Sequence, residues 1–213
     1  MLFTNAKIAS VSVDRSYGLI ENGVIVTQDE AIIWVGEADN LPAEHRNHEI
    51  HDCAGRLITP GLIDCHSHTG ISRGVNEGSW TVSSAVRIGD VVNPDDMNFY
   101  RQLAGGVTAA NLLHGSANPI GGQNCVVKHR WGAVDAESMK LRGARPGIKF
   151  ALGENVKRAR RPGSTRYPRS RMGVEAILRD RFTAAREYAR DRAAWVAAGK
   201  EPTTEPRRQL ELE

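Results

Sequence analysis

The chain has 213 residues, 40% of them hydrophobic and 25% charged, an ordinary balance for a globular protein with a core of its own. No apolar run approaches the ~20 residues that cross a bilayer, and the start Met1-Leu2-Phe3-Thr4-Asn5-Ala6-Lys7 lacks the build of a secretory signal. Cys53, Cys65 and Cys125 are odd in number and far apart, which argues against a disulfide framework and for a reducing, cytoplasmic setting; the net charge of +3 is mild.

The first sixty or so positions read as β structure. Residues 6–13 are β-rich, and Gly23-Val24-Ile25-Val26-Thr27 and Ala31-Ile32-Ile33-Trp34-Val35-Gly36 flank a short polar turn, which predicts a hairpin. Short strands and turns continue through Leu57-Ile58-Thr59-Pro60-Gly61, as in a small sandwich, so residues 1–61 are taken as a β-sandwich segment. His45, His48 and His51 read as surface residues of that segment.

From Leu62 the pattern changes to apolar strands alternating with helical stretches. Strands are expected over 62–65, 107–113, 125–128 and 147–152, and a helix capped by Asn93 or Asp95 running to Ala104. A longer helix over 174–198 carries Ile177, Leu178, Phe182, Ala185, Tyr188, Ala189 and Trp195 at helical spacing, and Gly199 stops it. Residues 62–199 are thus expected to be α/β, and 200–213 a polar tail or cut linker. Between Lys157 and Arg171 seven cations stand without an acid (Lys157, Arg158, Arg160, Arg161, Arg166, Arg169 and Arg171). This run reads as a solvated loop, with phosphate attraction as its functional alternative.

The chemistry concentrates in Thr59-Pro60-Gly61-Leu62-Ile63-Asp64-Cys65-His66-Ser67-His68. Residues two apart on a strand share a side, so His66 and His68 present two imidazoles together, and two such rings at a strand end can grip one divalent metal. The alternative is a pair of structural histidines. Downstream, Leu113-His114-Gly115-Ser116-Ala117-Asn118-Pro119-Ile120-Gly121-Gly122-Gln123 suits a loop whose backbone approaches a ligand, or a plain turn. His114 and Gln123 are its substrate-side candidates, against a hydrogen-bonded loop role for His114; His129 is open to the same two readings. Lys149, within Gly147-Ile148-Lys149-Phe150-Ala151-Leu152, sits in an apolar strand, where burial of a lysine frees its amine to react; the alternative is a head turned to solvent.

The decapeptide resembles the first barrel strand of the amidohydrolase superfamily. Tyr17-Gly18-Leu19-Ile20-Glu21-Asn22-Gly23, Trp34-Val35-Gly36 and Gly55-Arg56-Leu57-Ile58-Thr59-Pro60-Gly61 resemble imidazolonepropionase in particular. The likeness covers the N-terminal portion only; after His68 the chain is similar instead to a less characterised branch of related amidohydrolases. The resemblance implies a metallo-dependent hydrolase fold: a β-sandwich segment followed by a partial TIM barrel, (β/α)8 in the complete form. It implies that His66 and His68 are metal ligands for Zn2+ or Fe2+, one or two ions, and that a metal-bound hydroxide attacks a cyclic-amide or dipeptide-like C–N bond. Lys149 then matches the lysine that binuclear members carbamylate to bridge two metals, with Glu154 as the carboxylate fallback.

A full barrel takes ~250 residues, whereas roughly four βα units fit after the sandwich segment. No histidine follows His129, yet the superfamily takes two more histidines and an aspartate base from later strands. Asp180 and Asp191 fall in the terminal helix and do not substitute for that base. The expectation is therefore a truncated, metal-dependent amidohydrolase acting on a small-molecule amide. Completion by a missing C-terminal half, or a homo-oligomer, would be needed to cover exposed strand edges. A non-catalytic fragment or interaction module is the alternative. A nucleic-acid binder is the weakest reading, since no helix-turn-helix, zinc finger or RNA-stacking motif is recognisable.

Overall fold

A computed structural model describes residues 1–12, 16–157 and 165–213 as a mixed α/β chain of two compact units, Met1–Gly61 and Leu62–Glu213. Arg158, Arg160 and Arg161 of the basic run lie outside the described residues.

The first unit is built on one sheet. Its strands are β1 (Leu2–Ala9), β2 (Leu19–Gln28), β3 (Ala31–Glu37), β4 (Ile50–Asp52) and β5 (Leu57–Ile58), in the order β3-β2-β1-β4, with β5 also pairing β1. The expected hairpin is β2–β3: Gln28 pairs Ala31 across Asp29-Glu30, and Asp29 takes the left-handed backbone (φ 53°) that such tight turns require. β1 begins earlier than the 6–13 expected, because Leu2 is buried with Val24 and Val26 on one face. Ala6, Ile8 and Ile25 pack with Cys53 in a second cluster.

The second unit opens with β6 (Leu62–Ser67) and crosses through α1 (Met97–Ala104) to β7 (Val107–Leu112), which lies parallel to β6. The helix cap is Asp96, where Asn93 or Asp95 was expected: its carboxylate accepts from the Asn98 N–H at 2.9 Å and the Gly70 N–H at 2.9 Å. Gly70 has φ 66° and lies against the Phe99 ring, where a Cβ would stand 2.2 Å from the ring edge. Phe99, Ala110, Leu112, Cys125, Val127 and Met139 form the core beneath this βαβ step, with Met139 contributed by the short helix α2 (Ala136–Met139).

Beyond β7 the pairings between strands are antiparallel among the described residues, a departure from the four βα units expected. β8 (Ile120–Gln123) pairs β10 (Ile148–Phe150), while β9 (Cys125–Lys128) pairs β7. The glycine-rich stretch read as a loop or turn thus ends in a strand. Its glycines are needed for close packing: a Cβ on Gly121 would lie 2.8 Å from Nδ1 of His114, and one on Gly122 2.8 Å from Val86.

The last helix, α3 (Arg171–Ala197), starts three residues before the expected 174, because Ser170 caps it through Oγ and the Gly173 N–H, 3.2 Å. It buries Val174, Ile177 and Tyr188. The residues after Gly199, expected as a polar tail or linker, fold back along the unit. Trp195 donates to the Glu201 carbonyl, Arg192 pairs with Glu205, and Ser84 donates to the Glu211 carbonyl. Among the described residues no helix is long and apolar enough to cross a membrane.

Candidate active site

The ladder between β6 and β7 carries an irregularity where the chemistry concentrates. Asp64 pairs Ala110 and Ser67 pairs Leu112, so Cys65 and His66 together stand opposite the single residue Asn111. One extra residue in a strand re-aims its side chains. The His66 N–H is taken by the Asp64 carboxylate at 3.0 Å.

His66 and His68 are exposed, their ring centroids 5.1 Å apart and their planes near perpendicular, at 85°. The carbonyl of Leu113 can only accept, so Nδ1–H of His68 donates to it at 2.8 Å and Nε2 remains as the ring's free nitrogen. Nε2 of His66 faces Nζ of Lys149 at 3.2 Å. The lysine charge, then burial, then His68 hold the His66 imidazole below its ordinary pKa. The neutral ring is thereby favoured, the form that ligates metals.

These groups fit a divalent cation in part. Two imidazoles bound to one metal at ~2 Å have centroids about 5 Å apart near the tetrahedral angle, and a ring nitrogen anchored on a backbone carbonyl is the usual support for such a ligand. Lys149 adds an amine. Among the described residues no group of three or more His, Cys, Asp or Glu side chains gathers to hold a metal.

Of the expected site residues, the structure brings His66, His68 and Lys149 together and leaves the others elsewhere. His114 is 1% exposed, and both ring nitrogens are engaged: Nδ1–H donates to the Gly115 carbonyl (2.9 Å) and Nε2 accepts from the Glu77 N–H (2.8 Å). Burial lowers its pKa. This is the hydrogen-bonded loop histidine, with no ring atom left for a substrate.

Gln123 donates to the Ser84 carbonyl and lines a cleft of about 430 Å3 with Ile148, Phe150 and Phe182. Strand alternation puts Ile148 and Phe150 on the face of β10 opposite Lys149, so Gln123 is not brought to the His66–Lys149 pair. His129 lies by the start of β7, at the opposite end from Leu113, donating to the Val107 carbonyl at 3.0 Å and packed on Phe99. Glu154 is held by Lys157 at 2.6 Å and by Arg171 at 3.6 Å, which keep its carboxyl below the usual range. In the basic run, Arg166 donates to the carbonyls of Gly78 and Ala117 rather than standing solvated. Asp64 and the Leu113 carbonyl were not foreseen; the spacing Asp64-Cys65-His66 is an Asx-turn signal that could have disclosed the first.

Comparison with known proteins shows what the chain is similar to. No family model matches the chain. Its N-terminal portion is 52% identical to imidazolonepropionase of Roseobacter denitrificans over 68 residues, 32% of this chain and 17% of that protein. Amidohydrolase tasK of Hapsidospora irregularis is 33% identical over 193 residues, 83% of this chain and 19% of the relative. The crystal structure of an amidohydrolase from Thermotoga maritima MSB8 superposes with a TM-score of 0.84 at 32% identity, over 99% of this chain and 53% of that one.

The chain is related to the amidohydrolases. The imidazolonepropionase likeness is confined to a short stretch, whereas the solved amidohydrolase matches nearly the whole chain. The chain spans less than a fifth of the length of these two curated amidohydrolase relatives and about half of the solved one.

Proposed function

We propose that this chain carries the front portion of a metal-dependent amidohydrolase that cleaves a C–N bond of a cyclic amide, imidazolonepropionase-like, or of a dipeptide-like amide. The observation that carries the reading is that His68 and Lys149 both stand beside His66. The relatives' names support the reaction class.

In this reading β6 and β7 are the first two strands of a (β/α)8 barrel, supported by their parallel pairing through α1 and by the solved amidohydrolase. His66 and His68 hold Zn2+ or Fe2+ through Nε2. Lys149 joins them after its free amine adds to CO2, which forms a carbamate and releases one proton. A divalent cation bound there lowers the pKa of water and polarises a carbonyl oxygen. The chain's own residues orient and hold: Leu113 fixes the His68 tautomer, and Asp64 braces the backbone that presents His66. The three cysteines are free, as a cytoplasmic compartment allows.

The remaining donors and the general base come from a further half of the fold. β6 pairs only β7 among the described residues, and Leu62 and Ile63 on it are 62% and 71% exposed, which supports an added partner surface. A second copy would bring the same ligand types and leave the set incomplete. The alternative, a non-catalytic interaction module, is favoured by the lack of a third His, Cys, Asp or Glu at the site among the described residues.

Metal analysis tests the proposal. The intact parent protein, with the further half of the fold present, retains about one to two equivalents of Zn2+, and its folded His66→Ala/His68→Ala variant retains none. Full stoichiometry in that variant rejects the proposal. Hydrolysis of a cyclic amide by the chain alone rejects the interaction-module alternative.

A further inference from the structure

We infer that Asn124, acting through Asn111, is a positioning residue that sets the separation between His66 and Lys149. The inference rests on the proposed role of those two side chains as metal donors, and it concerns how they are held.

The chain leaves β8 at Gln123 and enters β9 at Cys125. β8 pairs with β10, which carries Lys149, and β9 pairs with β7, which pairs with the strand carrying His66. Asn124 is therefore the single residue between β8 of one sheet and β9 of the other. It bonds both ways. Its backbone N–H donates to the Gly147 carbonyl at 2.9 Å, two residues before Lys149. Its Nδ2 donates to Oδ1 of Asn111 at 2.6 Å, and Nδ2 of Asn111 donates to the Cys65 carbonyl at 3.4 Å, one residue before His66.

Asn111 is also the residue that faces Cys65 and His66 where β6 carries its extra residue. An extra residue disrupts the ladder locally, and the Asn111 amide supplies a bond to the carbonyl there. The path from Lys149 to His66 thus runs through two amides and two backbone carbonyls. Among the described residues Oδ1 of Asn124 is buried with no hydrogen-bond partner, a desolvation cost that an apolar side chain would avoid. Gly147 lies so close that a Cβ there would stand 3.0 Å from the same oxygen.

The test uses Asn124→Ala and Asn111→Ala, the second serving if the first does not fold. Asn118→Ala is the control, because Asn118 is buried and donates to the Glu77 and Trp80 carbonyls and to Ser83 Oγ. Crystal structures of the metal-free variants read the distance from His66 Nε2 to Lys149 Nζ, and titration with Co2+ reads affinity and the visible spectrum of the folded protein. In Asn124→Ala and Asn111→Ala the two atoms separate beyond hydrogen-bonding reach. Co2+ binding weakens by roughly tenfold to a hundredfold with an altered spectrum, and the double variant is no worse than either single one. Asn118→Ala lowers stability and leaves both readouts unchanged. An unchanged distance in the Asn124 variant, or an equal loss of affinity in the Asn118 variant, overturns the inference. Absence of Co2+ binding by the wild-type protein overturns the proposed function instead, while the metal-free distances still decide the role of Asn124.

Discussion

Nζ of Lys149 stands 3.2 Å from Nε2 of His66 across 83 positions of sequence. The contact joins a strand of one sheet to a strand of another, and the lysine charge is the largest cause of the lowered His66 pKa.

Removing that charge moves the imidazole. In metal-free Lys149→Met, the His66 pKa rises toward the ordinary histidine value, as read by NMR titration of the ring protons. An unchanged titration would show that the two side chains do not meet in solution.

His114 and His129 are buried and held below their ordinary pKa chiefly by desolvation. The unfolded chain therefore binds more protons in mildly acidic solution. The stability these rings contribute is present above the unfolded value of about 6.5 and is lost as pH falls through it toward the depressed folded values. Thermal melts from pH 7.5 to 5 show a falling Tm, and the slope flattens in folded His114→Gln.

Gly121→Ala drives a Cβ to within 2.8 Å of the buried His114 ring. The cost is about 1–3 kcal/mol, as for other overpacked sites. Gly153→Ala, with nothing within 4 Å of its Cβ, is near neutral. Urea denaturation of the two variants makes the comparison.

Glu154 is tied to Lys157 and Arg171 on the surface. Glu154→Gln leaves bound metal unchanged by elemental analysis. A loss of metal would restore the carboxylate to the ligand set.

How far these features were legible depended on whether local pattern or distant packing decides them. The β2–β3 hairpin and β9 are visible because apolar runs are bounded by polar turns. Strand β8 is hidden because its glycines answer to the His114 ring rather than to any β propensity. Asp96 rather than Asn93 or Asp95 caps α1 because Gly70, 26 positions away, shares its carboxylate. The pairing of His66 with His68 follows from strand alternation, and the approach of Lys149 to a strand end was an expectation of resemblance. The Asn111–Asn124 bridge left no mark in spacing, since two half-buried amides, one on β7 and one between β8 and β9, look like any polar residues until their partners are known.

The proposed function requires one cation between the rings of His66 and His68. Anomalous diffraction at the zinc edge from crystals grown with Zn2+ locates that cation. A single strong peak within about 2 Å of Nε2 of both rings is the expected result. A zinc peak elsewhere, with these two rings uncoordinated, contradicts it.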